Sequence, residues 1–469
     1  MSAHFGMIGL GTMGRNFTLN VASHGFEACG YDRDEKQRAR LLLEAEGMPV
    51  SIATSSAELV QQLQTPRIIM LLVPAGKIVD AVIDELLPQL SKGDVLIDGG
   101  NSHYIDTDRR YNALQNSGVH FIGMGVSGGE EGARYGPSMM PGGNKESYEL
   151  VKNILEAVSA KAADGGPCVA YMGNTSAGHY VKMVHNGIEY AVMQMISEVY
   201  SVLKNAGFTN DELHELFKTW NEGELESFLV EITAEIFAKK DAETGNGMVD
   251  IILDKAKQKG TGLWTSVSAL ELNVPIPTID VSVSMRYMSA LKDERVRLSK
   301  LYSHQAVPLN VDKESLKNIC RDALHFGIMM AYAQGIELLE TASAQFHYEI
   351  EIKTVIQVWR AGCIIRSVLL SDLYNAYDKQ PDLQNIIESN VFVPVLKEQR
   401  GQIVSFLKLA MDAGLPAAAC AVSLNYFDAY TLGRMPANLI QAQRDFFGAH
   451  TYERVDKEGA FHTDWKTPS

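Results

Sequence analysis

Residues 5–14 read Phe5-Gly6-Met7-Ile8-Gly9-Leu10-Gly11-Thr12-Met13-Gly14, and the next eighteen run on to Tyr31-Asp32. Residues 5–8 are a short apolar strand. Gly9-x-Gly11-x-x-Gly14 turns the chain, 16–24 have a helical pattern, and 25–31 form a second strand ending at Asp32. Strand, glycine turn, helix, strand is the order a dinucleotide site needs. Gly9 permits the tight turn. Gly11 lets the backbone approach a pyrophosphate, and Gly14 lets the helix pack on the strand. The helix N-terminus then faces the phosphates. Gly9, Leu10, Gly11, Thr12, Met13 and Gly14 are therefore the expected phosphate end of a cofactor site. Asp32 stands where the fingerprint expects an acid.

Further α/β units extend this reading. Residues 67–73 and 94–98 are buried strands, 78–90 a helix, and 120–123 another strand. The expected fold is α/β and then all-α, with a doubly wound Rossmann-type sheet over 1–176. Two glycine-rich loops sit at strand ends, where such sheets bind ligands. One is Gly99-Gly100-Asn101-Ser102. The other begins at Ser127-Gly128-Gly129-Glu130 and runs as a connecting loop to Gly143. Ser-Gly-Gly offers a hydroxyl and successive N–H groups, a nest suited to a carboxylate; the plainer reading is a turn.

After Gly178 the pattern changes to long helices. The expected divisions are 1–176 (dinucleotide-binding), 177–434 (all-helical) and 435–469 (a tail). Within residues 179–189, Lys182, His185, Asn186 and Glu189 sit at i, i+3, i+4 and i+7, with His179 one turn earlier. That spacing puts all of them on one helix face. A buried polar network and the wall of an active site both fit the pattern. An internal repeat bears on the choice. His185-x-Gly187-Ile188-x-x-Ala191-x-x-Gln194 recurs as His325-x-Gly327-Ile328-x-x-Ala331-x-x-Gln334, and Trp220-x-x-Gly223 as Trp359-x-x-Gly362. In the second copy Asn186 becomes Phe326, Glu189 becomes Met329, Tyr190 becomes Met330, and Asp322 stands at the Lys182 position. The copy reads as core, so packing alone does not demand the polar face of the first.

Lys257 and Lys259 precede Gly260-Thr261-Gly262, and Arg286 follows a Ser/Val-rich segment. Both fit phosphate binding or solvated charge. The tail carries Arg434, Arg444, His450 and Arg454 together with Phe446, Phe447, Tyr452 and Trp465. So many aromatics predict a docked tail.

Composition narrows the class. The 469 residues are 46% hydrophobic and 21% charged, with net charge −15. This suits a soluble globular chain of two or three domains and argues against binding nucleic acid or anionic membranes. The five cysteines are scattered, which fits a reducing cytoplasm. No leader-like segment precedes the first strand, and no apolar run approaches a membrane span.

Taken together, these stretches resemble the 6-phosphogluconate dehydrogenase family, from Gly6 to near Trp465. The match includes Asp98-Gly99-Gly100-Asn101-Ser102, Gly125-Val126-Ser127-Gly128-Gly129-Glu130-Glu131-Gly132-Ala133 and Val181-Lys182-Met183-Val184-His185-Asn186-Gly187-Ile188-Glu189-Tyr190. It continues through Gln258-Lys259-Gly260-Thr261-Gly262 and Gln441-Ala442-Gln443-Arg444-Asp445-Phe446-Phe447-Gly448-Ala449-His450. The resemblance implies metal-free oxidation of the C3 hydroxyl of 6-phosphogluconate, loss of CO2, and protonation at C1 to give ribulose 5-phosphate. It makes Lys182 the general base and Glu189 the acid for C1. Burial and the cations Lys259, Arg286 and Arg444 are expected to lower the Lys182 pKa. By the same resemblance Ser127, Gly128 and Gly129 hold the substrate carboxylate. Asn101, Glu130, His185 and Asn186 contact hydroxyls or reacting oxygens, and Tyr190, Lys259, Thr261, Arg286 and Arg444 bind the phosphate. A homodimer is implied, with Arg444 and His450 of the tail completing the partner's site.

Three departures matter. Asp32-Arg33-Asp34 replaces the family's usual Asn-Arg-Thr, and Val73-Pro74-Ala75 has Pro74 where NADP enzymes place a lysine. The family default is NADP+; Asp32, Asp34 and Pro74 favour NAD+, because an acid there accepts from a free 2′-hydroxyl and repels a phosphate. Arg33 remains for stacking or phosphate. Phe446 replaces a common tyrosine. The alternatives are another 3-hydroxyacid dehydrogenase, shorter and lacking the phosphate cations, or a catalytically silent nucleotide-binding protein.

Overall fold

The computed structural model describes residues 2–466. Seven strands form one sheet: β1 (Phe5–Ile8), β2 (Ala28–Tyr31), β3 (Val50–Ile52), β4 (Ile68–Leu71), β5 (Val95–Asp98), β6 (His120–Ser127) and β7 (Ser138–Gly143). Their order is β3-β2-β1-β4-β5-β6-β7. All neighbours are parallel except β6 and β7, which run antiparallel with Met124 opposite Pro141. Alternate residues feed opposite faces. Phe5, Met7, Val95 and Ile97 join one core with Phe17 and Val21. Ile8, Ile69, Leu71 and Leu96 join the other with Val79 and Leu86. Burial on both faces explains why these strands read as apolar runs rather than alternations.

The strand order reverses between β1 and β4, so the ligand crevice opens beyond their carboxyl ends. The helix α1 (Thr12–Ser23) starts there, earlier than the residue 16 expected. A Cβ on Gly14 would run into the Gly9 carbonyl oxygen, so this helix can lie against β1 only with glycine at 14.

One expectation needs correcting. Residues 127–143 are not a single connecting loop. They fold as the end of β6, a short helix α2 (Gly129–Tyr135) and the edge strand β7. Glycine and Pro141 hid β7. Proline is tolerated at a sheet edge, and this strand closes the sheet. The second strand and the 78–90 helix are also shorter than expected, at Ala28–Tyr31 and Lys77–Leu86.

Beyond the sheet the chain is helical. The helix α3 (Ala177–Asn205) packs against α4 (Thr261–Glu271), α5 (Pro277–Ala290) and α6 (Lys313–Phe346). Gly335 meets Ile188 and Val184, while Gly327 meets Met195, so α3 and α6 run antiparallel. The repeat is visible in the geometry. Ser227 bridges Ser367, its counterpart in the second copy, with Phe228 N donating to Arg366 O (3.1 Å) and Val368 N to Glu226 O (3.0 Å). Phe326, Met329 and Met330 are fully buried, as core, and Arg321 donates to Asp322 (2.8 Å).

Chain contacts divide the molecule after Ser423. The unit from Leu424 contains the helix Ala437–Gly448 and a ribbon pairing Tyr452–Glu453 with Ala460–Phe461. Asp445 organises it, accepting from Trp465 Nε1 (2.8 Å), Thr451 N (3.0 Å) and Thr463 N (3.1 Å), with His462 Nδ1 at 2.9 Å. Desolvation opposes ionisation of Asp445, but His462, Trp465 and Thr463 outweigh it and hold the carboxyl down at about 2. No helix among the described residues is long and apolar enough to cross a membrane.

Candidate active site

The long helix α3 carries the site because of how closely it approaches the sheet. A Cβ on Gly125, in β6, would collide with Lys182 Cβ; glycine there lets the lysine stem lie on the strand. Lys182 is 7% exposed and His185 wholly buried. The i, i+3, i+4, i+7 spacing yields one connected group. His185 Nδ1 lies 3.1 Å from both Lys182 Nζ and Asn186 Oδ1, and 3.9 Å from Glu189 Oε2. His185 Nε2 lies 3.3 Å from Ser127 Oγ. His179 is not part of this group; its Nδ1 lies 2.7 Å from Thr107 Oγ1.

Burial sets the protonation states. It lowers the Lys182 pKa to about 8, against the opposing pull of Glu189 and Cys363. Lys259 and Arg286 of the same chain, expected to help, do not figure among the causes; removal from water is the largest. Burial also raises the Glu189 carboxyl, with Lys182 and Arg286 opposing. His185 is held well below the ordinary imidazole value by burial and by the Lys182 charge, so it is neutral. The wall thus presents an amine that can shed its proton and a carboxyl that can keep one, the pairing general acid–base chemistry requires.

Gly128 and Gly129 line a cavity of about 450 Å3 with Glu130, Cys363 and Ile364, while Ser127, just before them, is buried. Glu130 also accepts from Asn16 Nδ2 of α1 (3.3 Å). The 360–364 segment went unnoticed in the sequence except as a repeat anchor. It comes over this loop, with Ser138 N donating to Gly362 O (2.9 Å) and Ile364 N to Ser127 Oγ (3.5 Å). The helix α7 (Ile352–Trp359) delivers it, and Trp359 packs edge-on to His185. Trp359-x-x-Gly362 was the one signal that could have pointed there.

The phosphate-type cations are partly assembled. The Arg286 guanidinium lies 3.7 Å from the centroid of the Tyr190 ring, and Arg286 Nη1 donates to Lys257 O (3.2 Å). Tyr190 also packs on Gly262 in the first turn of α4. Thr261 opens that helix, and Lys259 precedes it, exposed. Arg444 and His450 belong to the unit that begins at Leu424 and are exposed within it. Asn101 is exposed on a loop shaped by Asp98, which accepts from Ser102 Oγ (2.6 Å), Gly100 N (3.1 Å) and Arg110 Nη1 (3.2 Å).

At the sheet's switch point a cavity of about 470 Å3 is lined by Gly9, Gly11, Asp32, Arg33, Asp34, Val73 and Pro74. Leu10 turns its side chain into the core and gives its N–H to Asp32 Oδ2 (2.7 Å). Asp32 Oδ1 accepts from Asp34 N (2.9 Å), so this acid shapes the turn and keeps lone pairs for a ligand. Thr12, Met13 and Gly14 form the first turn of α1, and Ala75 is exposed beside Pro74. The α1 N-cap, Gly11, gives no side-chain cap, leaving first-turn N–H groups for a phosphate. These residues fit a dinucleotide.

Comparison with known proteins follows the same outline. Residues 4–173 match the NAD binding domain of 6-phosphogluconate dehydrogenase, and residues 178–465 its C-terminal domain. The Bacillus subtilis (strain 168) 6-phosphogluconate dehydrogenase, NADP(+)-dependent, decarboxylating, is 52% identical over 462 residues, 98% of each chain. The decarboxylating 6-phosphogluconate dehydrogenase of Lactococcus lactis subsp. lactis (strain IL1403) is 50% identical over 467 residues, 99% of each. The Plasmodium falciparum 6-phosphogluconate dehydrogenase structure, determined in apo form and with NADP+ or 6-phosphogluconate, superposes with a TM-score of 0.95. It is 41% identical, covering 98% of this chain and 100% of that one.

Proposed function

We propose how this site works from one premise: the chain belongs to the 6-phosphogluconate dehydrogenase family. It oxidatively decarboxylates 6-phosphogluconate to ribulose 5-phosphate and CO2 while reducing a nicotinamide dinucleotide. The nicotinamide, when bound, supplies the hydride acceptor; the remaining chemistry falls to side chains. Lys182, neutral once its proton is lost near pH 8, takes the C3 hydroxyl proton. As an ammonium it then hydrogen-bonds the C3 carbonyl and stabilises the charge that develops as CO2 leaves. Glu189, its carboxyl raised by burial, is the acid that delivers a proton to C1. Two helical turns separate the two groups along a sugar acid laid against α3. Ser127, Gly128 and Gly129 take the carboxylate, and His185 with Asn186 orients the reacting oxygens. Asn101 and Glu130 contact hydroxyls, while Tyr190, Lys259, Thr261 and Arg286 take the phosphate.

The single observation that carries the reading is an enclosed lysine of lowered pKa in one hydrogen-bonded group with His185 and Asn186, and within electrostatic reach of Glu189. The test is direct. Purified protein given 6-phosphogluconate should yield reduced cofactor and CO2 in equal amounts; no turnover with either cofactor would overturn it.

The relatives named above make NADP+ the starting expectation. The cavity residues Asp32, Asp34 and Pro74 support NAD+ instead, since these two carboxylates and no lysine line the cavity, and an acid there would repel a 2′-phosphate. A homodimer is the proposed assembly, with Arg444 and His450 of each tail completing the partner's phosphate site. Exposed Leu439, Ile440, Phe446 and Phe447 on the Ala437–Gly448 helix support it, as an apolar face that a second copy would cover. The segments 1–176, 177–434 and 435–469 then act as cofactor, substrate and exchanged parts.

A further inference from the structure

Glu85 lines the same cavity as Asp32 and Arg33, 52 residues beyond the latter in the chain. It lies in the last turn of the helix Lys77–Leu86, whose start follows the Val73–Pro74 wall. Its two oxygens are both engaged. Oε1 accepts from Ser56 Oγ at 2.6 Å, and Oε2 from Arg33 Nη2 at 3.2 Å. An arginine just past the second strand is the group that accommodates a 2′-phosphate, and a hydroxyl beside it is a natural second donor. Here an internal carboxylate already holds both donors. The Arg33 side chain is 74% exposed and that of Glu85 38%, so their ion pair adds little to folding stability. Its consequence falls on whatever enters the cavity.

The other charges nearby do not compensate. Arg38 Nη1 is committed to the carbonyls of Asp32 (2.6 Å) and Arg33 (3.3 Å). Asp32 and Asp34 add two more carboxylates to the wall. To take Arg33 Nη2 and the Ser56 hydroxyl together, a 2′-phosphate would have to displace Glu85 and then sit beside its carboxylate. A 2′-hydroxyl asks for neither change.

We propose that Glu85 is a specificity-determining residue that occupies the 2′-phosphate donors Arg33 and Ser56 and so selects against NADP+ in favour of NAD+. The proposal rests on reading this cavity as the adenosine end of the cofactor site. Its test compares wild type, Glu85→Gln and the double variant Glu85→Gln/Arg33→Ala. Calorimetry with adenosine 2′,5′-bisphosphate and with AMP reads the discrimination without turnover. Steady-state assays with 6-phosphogluconate and each cofactor read it in catalysis. In Glu85→Gln the bisphosphate-to-AMP affinity ratio, and the NADP+-to-NAD+ ratio of kcat/KM, should each rise about tenfold, as expected when the freed Arg33 donor makes one charge-assisted hydrogen bond to the phosphate. The catalytic gain should lie in KM for NADP+, and both gains should vanish in the double variant. Ratios unchanged within about twofold, or a gain that survives loss of Arg33, would overturn the role of Glu85. Failure of wild type to bind either nucleotide would instead remove the reading of the cavity itself.

Discussion

Lys182 Nζ and His185 Nδ1 stand 3.1 Å apart in a wall from which water is almost excluded. The contact links two protonation states. His185 carries one proton, its pKa being far below the ordinary value. When Lys182 is an ammonium it donates to Nδ1, which places the ring proton on Nε2, facing Ser127 Oγ. When Lys182 is neutral its lone pair is available, and the other tautomer, with the ring proton on Nδ1, can donate to Asn186 Oδ1. One imidazole thus accommodates both states of the base without moving.

The first prediction follows from the sign of the Lys182 shift. Burial lowers its pKa to about 8, so the neutral form rises with pH and is lost below that value. Turnover should fall about tenfold per pH unit on the acid side of 8, because each unit removes that much neutral amine. A pH profile of kcat/KM for 6-phosphogluconate, which reports the free enzyme's groups, checks this. Lys182→Met should abolish oxidation while leaving the folded protein able to bind cofactor, measured by calorimetry. A flat profile between pH 6 and 8, with chemistry rate-limiting, would exclude Lys182 as the base.

Glu189 gives a second prediction. Its carboxyl is raised by burial, so it holds a proton to higher pH than an exposed glutamate. Glu189→Gln keeps the shape and loses the transferable proton. Turnover should drop about 10²- to 10³-fold, the usual contribution of a positioned acid. Reaction in deuterated water, followed by analysis of label at C1 of the product, would separate slow proton delivery from slow oxidation. Wild-type turnover in this variant would refute the assignment.

Gly125 is a purely steric test. An added methyl would meet Lys182 Cβ and must push α3 from β6 or bend the lysine stem. Gly125→Ala should destabilise the fold by about 1–3 kcal/mol, as overpacking does. Displacing the base by about 1 Å should also lower kcat roughly 10²-fold. Thermal unfolding and steady-state kinetics measure the two effects. Normal activity with a lowered Tm would show that the lysine position is less critical than the contact suggests.

Some of this was legible before any coordinates, and the division has a physical cause. Lys182, His185, Asn186 and Glu189 lie within two helical turns, so local periodicity alone brought them together. Gly9, Gly11 and Gly14 were legible for the same reason: their spacing specifies one turn. The edge strand β7 was not, because a strand with no full strand beyond it, only the scattered bonds to residues 168–173, tolerates glycine and Pro141, and composition then mimics a loop. Neither was the approach of Ile364 to Ser127, across 237 residues, or of Glu85 to Arg33. Such contacts depend on where whole elements land. Burial of Lys182 was legible from the apolar residues around it on the helix and is the leading cause of its shift, whereas the expected help from Lys259 and Arg286 depended on where separate elements land.

The shared-site assembly makes the last prediction. Arg444 lies in the unit that Asp445 holds together, and its guanidinium donates to Gln441 Oε1 at 3.1 Å, leaving other N–H groups for a ligand. If each tail completes the partner's site, Lys182→Met removes the base from one place and Arg444→Ala removes a phosphate ligand from another. Each variant alone should be nearly inactive at low substrate. Refolded or subunit-exchanged mixtures should regain activity, because a heterodimer contains one site with both residues native. Random pairing makes half the dimers mixed, each with one good site, so recovery should approach about a quarter of wild type. The recovered activity should show the wild-type KM for 6-phosphogluconate. No recovery, with subunit exchange verified by mass spectrometry, would mean that Arg444 serves its own chain.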